Sequence, residues 1–75
     1  MNLIEYVDAL MDELERRNFH KLINYYVPPE ENFALWLLKV AQIGLQHNQS
    51  VEQLADIIER EFAIITNALF PTRIQ

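Results

Sequence analysis

The chain of 75 residues has no cysteine, a single glycine and three prolines, and its 6 Lys and Arg stand against 11 Asp and Glu. Without cysteine there is neither a disulfide framework nor a thiolate metal site, a composition compatible with a reducing compartment. The formal charge of −5 argues against non-specific nucleic-acid binding, whose affinity comes mainly from Lys and Arg on phosphates. Long hydrophobic runs are also missing. The nearest, Phe33 to Leu45, is interrupted by Lys39 and falls short of the ~18 apolar residues that a membrane span needs. At the N-terminus Glu5 and Asp8 appear at once, which does not fit the positive and then apolar regions of a signal peptide. A cytoplasmic, soluble protein with no membrane contact is the expectation.

What is abundant is apolar side chain, 51% of the residues, at the upper end for a soluble chain. A chain this short makes one domain, here 1–75, whose core is modest. Small domains with a surplus of apolar residues often complete their core by self-association, so a homodimer is expected.

The pattern is helical throughout and predicts an all-α bundle of three or four helices, over about 2–16, 19–26, 29–47 and 51–69. Leu3, Ile4, Val7, Leu10, Met11 and Leu14 recur at spacings of three and four and give the first helix a narrow apolar face. Asp12–Arg16 and Glu13–Arg17 are favourable i,i+4 pairs on it. Phe19, Leu22, Ile23 and Tyr26 form a second set, about 110° out of phase with the first, which implies a break near Arg17-Asn18. No glycine or proline enforces that break, so one continuous helix over 2–26 stays open. Pro28-Pro29 ends the segment, and Pro29 can open the next helix with Glu30 and Glu31 in its first turn.

That third helix, 29–47, is expected at the centre, because its polar residues Asn32, Lys39, Gln42, Gln46 and Gln49 fill a stripe of only about 80°. Its small residues Ala34, Ala41 and Gly44 would let a neighbouring backbone come close. Ser50 with Gln53 makes a capping box for the last helix. Val51, Ile58 and Ile65, and Ala55, Phe62 and Leu69, then repeat every seven residues as a packing seam.

No cofactor is expected, because nothing offers a catalytic or metal-binding set. His20 and His47 belong to no H-x-x-x-H or H-E-x-x-H pattern, and there is neither an EF-hand loop nor a Glu-x-x-His motif. The segment from Ser50 to Ile58 superficially resembles the first helix of a helix-turn-helix. Glu59, Glu61 and Phe62 continue the same helix where a turn and a base-reading helix should follow. Three features could meet a partner. Glu5, Asp8, Asp12 and Glu15 make an acidic face, which as a helix surface needs no role beyond solvation. Arg16, Arg17 and Lys21, beside His20, are the basic cluster that a nucleic-acid-associated regulator would use, although at this spacing salt-bridged surface is the commoner explanation. Leu35, Trp36 and Ile43 border the polar stripe and are expected as an uncovered apolar edge, hence an interface, with the seam of the last helix as the other expected dimer contact. The function read from these is a non-enzymatic protein-interaction or regulatory module, a homodimeric acidic bundle that also takes an unidentified protein partner.

Overall fold

The computed structural model describes residues 1–27 and 32–69. They form four helices, α1 (Leu3–Arg16), α2 (His20–Tyr26), α3 (Phe33–Gln46) and α4 (Val51–Leu69), packed as a compact all-helical bundle with no strand among the described residues. The expected all-α architecture is the observed one.

Helix α1 starts at a capping box. Asn2 accepts from the Glu5 amide at 2.8 Å, and the Glu5 carboxylate accepts from the Asn2 amide at 3.2 Å. It ends at Asn18, which sits in the left-handed region at φ 60°. There the Asn18 amide donates to the Glu15 carbonyl and the Phe19 amide to that of Leu14, closing the last turn. This excludes one helix over 2–26. The same closure ends α3, with Asn48 at φ 55° and amide bonds from Asn48 to Leu45 and from Gln49 to Gly44. Asparagine thus serves twice where glycine is usual, because its short polar side chain tolerates this conformation better than other side chains do.

One expected boundary needs correction, and one helix carries a kink that its sequence does not mark. Helix α3 begins at Phe33 rather than 29, because Asn32 is its N-cap, at φ 32° and ψ 157°. The Asn32 side chain accepts from the Leu35 amide at 2.9 Å, supplying a partner for one of the orphan donors at the helix start. The roles assigned to Pro29, Glu30 and Glu31 lie outside the described residues. Helix α4 is continuous in hydrogen bonding but kinked at Glu61, at φ −128° and ψ 34°, with no glycine or proline to mark the place. Its Ser50–Gln53 capping box is present, with bonds of 3.0 and 2.9 Å.

The centre is also corrected. Helix α1 packs on α2, α3 and α4, while α3 packs against α1 and α4. The core joins Tyr6, Leu10 and Leu14 of α1 to Trp36, Leu37, Val40 and Ala41 of α3 and to Leu54, Ala55 and Ile58 of α4, with Ile23 and Val27 closing it from α2. The heptad seam of α4 faces this core as its spacing implies. Beside the seam, Ile64 is exposed and Ile57 half-buried.

Gly44 explains how α1 comes so close to α3. A Cβ there would lie 2.6 Å from Leu54 Cδ2 and 2.7 Å from the Tyr6 hydroxyl oxygen. The Leu54 methyl can swing away. The Tyr6 phenol is tethered, because its hydroxyl donates to the Gln49 carbonyl at 2.9 Å, and burial raises its pKa. Gly44→Ala therefore gains about 1 kcal/mol of helix propensity and loses more than that in displaced packing and a strained hydrogen bond. The expected net loss is about 1 kcal/mol by denaturant unfolding. The loss should shrink in a Tyr6→Phe background. At Asn48, replacement by Gly should hold or raise stability, while Ala should lower it by about 1 kcal/mol. Thermal midpoints of the two variants measure the difference.

Candidate functional site

The places that can meet another molecule follow from which helix faces the bundle leaves open. Helix α3 turns Trp36, Leu37, Val40, Ala41 and Gly44 inward. Its opposite side carries Leu35, Leu38 and Ile43, exposed by 39%, 38% and 43%. Gln42 and Gln46 are exposed among them, and Lys39 is half-buried. Part of this side floors a shallow cavity of about 540 Å³, with Leu3 of α1 and Leu69 of α4 among its lining residues.

The expected edge of Leu35, Trp36 and Ile43 is thus divided. Trp36 is fully buried within one chain, which corrects its assignment to a surface. Its indole N–H donates to the Thr66 hydroxyl oxygen at 3.1 Å, and Thr66 is buried with it. Because indole needs a partner once buried, Thr66 lets the largest side chain of the core stay dry. Around it stand Phe33, at 6.4 Å between ring centroids, and Phe62, at 5.7 Å. Phe62 also meets Phe19 edge-on at 6.0 Å and Tyr26 at 6.4 Å. These aromatics hold α2, α3 and α4 together. Tyr25 is 79% exposed and packs edge-on against Tyr26. Between α2 and α4, Leu22, Tyr26, Phe62, Ala63, Thr66 and Asn67 line an apolar groove of about 330 Å³.

The charged candidates separate as well. Glu5, Asp8, Asp12 and Glu15 are all exposed, although Glu5 is engaged in the α1 cap. The basic cluster is largely spent on intramolecular partners. Arg17 pairs with Glu13 at 2.7 Å, with Asp56 at 2.7 Å and with Glu59 at 3.0 Å, bridging the end of α1 to α4. Arg16 pairs with the same Glu13 carboxylate rather than with Asp12. Only Lys21 projects from the cluster as an exposed cation without a pairing among the described residues.

The α4 half of the Arg17 bridge is an ionic feature that the sequence pattern does not announce. Its signal was Asp56 and Glu59, three residues apart on one face of α4. Glu13 is buried, and its hydrogen bonds from Arg17 and then Arg16 hold its carboxyl below the usual carboxylate range. Arg17 is raised in turn, chiefly by Asp56 and then Glu13.

Among the described residues no group of three His, Asp or Glu could hold a metal ion, and no helix is long and apolar enough to cross a membrane. No protein-family model, curated protein or solved structure matched the chain when it was compared with them.

The lowered pKa of Glu13 has a definite sign in stability. Its contribution is fully present above the unfolded carboxyl value and is lost as pH falls through the lower folded value. Wild type should therefore lose thermal stability progressively from about pH 4.5 downward. Glu13→Gln should be less stable at neutral pH, with a flatter slope in that acid window. Arg17→Ala should cost about 2 kcal/mol at pH 7, because it leaves a buried carboxylate with Arg16 alone. Urea titrations at pH 3.5 and pH 7 compare all three.

Proposed function

We propose that this chain is a non-enzymatic interaction module that works as a homodimer, with the open side of α3 as the contact between copies. The observation that carries the reading is the set Leu35, Leu38 and Ile43, each more than a third exposed on one helix. Apolar side chains left uncovered together on one side of a helix, here with Gln42 and Gln46 between them, are a feature of interaction sites. In this reading Leu38 takes the place that Trp36 cannot fill.

Charge supports the same face. Every Asp and Glu of the described residues lies on α1 or α4, and none lies on α2 or α3. Two copies of a protein carrying a net −5 meet least repulsion where neither presents a carboxylate. The acidic residues of α1 are then left outward as a rim that keeps the assembly soluble and favours a basic protein partner. The absence of cysteine suits a cytoplasmic setting. Nucleic-acid binding through Arg16, Arg17 and Lys21 is not favoured, because both arginines are already neutralised by carboxylates.

Sedimentation equilibrium from ten to several hundred micromolar tests the proposal. Wild type is expected to show a reversible monomer–dimer equilibrium. Leu35→Glu or Leu38→Glu should shift it at least tenfold toward monomer with helicity intact, because each buries a charge in the contact. Ile64→Glu, at an exposed apolar position on α4, should leave it unchanged. A wild-type protein that stays monomeric throughout would sink the reading.

A further inference from the structure

We infer that α1 is exchangeable between copies, independently of the contact on α3. When the turn at Asn18 straightens, α1 and α2 become one helix over 3–26, and each α1 packs into the core of a second copy. The turn hinges on a single residue. Asn18 holds φ 60° without being glycine, and neither glycine nor proline stands anywhere from Leu3 to Tyr26 to oppose a straight helix. Short hinges held in an unfavourable conformation are where exchange of an element between copies begins.

The backbone gains from straightening. Helix α2 starts after Phe19 without a side-chain cap, and its first amide to reach a carbonyl is that of Ile23, to Phe19 at 3.1 Å. The amides of His20, Lys21 and Leu22 are orphan donors of a helix start. In one helix they would bond to the carbonyls of Arg16, Arg17 and Asn18. The Asn18 and Phe19 amides, now on Glu15 and Leu14, would only exchange those acceptors.

What keeps a single chain bent is its core. Leu10 and Leu14 are fully buried and Tyr6 nearly so, and a straight helix would draw them off α3 and α4. The surface that α1 leaves behind is shaped to cover them, and a second straightened copy presents the same surface. The fit is the one already made within the chain, including Arg17 with Asp56 and Glu59, so no new complementarity is needed. The helical phase agrees. On one helix the apolar sets of α1 and α2 lie about 110° apart, which obstructs packing on a single core and suits a helix whose two halves serve two.

Each variant is made in a Leu35→Glu background, so that the contact on α3 plays no part. Two hinges straighten per dimer, and a hinge substitution therefore counts twice. Asn18→Ala disfavours the left-handed turn and favours helix, whereas Asn18→Gly does the reverse. Refolded from urea at millimolar concentration, Asn18→Ala is expected to dimerise about a hundredfold more tightly than Asn18→Gly. Spin labels on Ile4→Cys and Asn24→Cys, twenty residues apart, read the hinge directly once diluted with unlabelled protein, so that only distances within a chain count. One helix sets them about 30 Å apart, and any bend at Asn18 brings them closer. The Asn18→Ala dimer should show the longer distance and the Asn18→Gly monomer the shorter. Wild type under the same treatment should fall between them, and it supplies the comparison with Asn18→Gly if Asn18→Ala does not fold. Dimers that keep the shorter distance, or dimerisation that does not respond to residue 18, would overturn the exchange and leave the α3 contact untouched.

Discussion

The packing of this bundle depends on one close approach, that of α1 to α3 where Gly44 has no side chain. Tyr6 occupies the space a Cβ would take, and its hydroxyl reaches past Gly44 to the Gln49 carbonyl in the α3–α4 turn. One residue thereby sets the separation of two helices and ties α1 to the turn where the chain reverses. At the other end of α1, Arg17 reaches α4 through Asp56 and Glu59. With both ends of α1 pinned, its apolar stripe of Leu10 and Leu14 has a single register on α3 and α4. The cost of a glycine inside a helix, about 1 kcal/mol, is offset by what the approach permits.

The Arg17 bridge does a different job from the apolar contacts. Burying Glu13 is unfavourable, and its two arginines return part of what desolvation removes. The partly exposed Asp56 and Glu59 pairs add little on their own because water screens them. What the arrangement supplies is direction. A rotated or slipped α1 would strand a buried carboxylate, so the alternatives are disfavoured more than the native pairing is favoured. Hydrophobic contact alone is non-directional and would discriminate less sharply between such registers.

Much of this was legible from the sequence because it follows from local rules. The phase change after Arg17, the capping box at Ser50 and the heptad seam of α4 each depend on neighbours within a turn or two. The division of α3 into covered and open sides was not legible. A helical wheel shows that most of its circumference is apolar, but not which half the other helices take. Trp36 went to the covered half because Thr66 could accept its indole N–H, thirty residues away. Thr66 lies beyond the kink at Glu61, and nothing in the local sequence marks that kink. The same distance hid the Arg17 bridge, whose i,i+4 part with Glu13 was readable and whose α4 part was not.

The open side of α3 follows from the length of α2. Seven residues give fewer than two turns, and the helix those turns meet most is α1. Helix α3 therefore has neighbours along one side only, although its sequence is apolar around most of its circumference. A longer α2 could have lain across Leu35 and Leu38, as the fourth helix of a larger bundle does. Leu35 and Leu38 are left about two-fifths exposed there, and polar residues at those two positions would remove that apolar surface without touching the core.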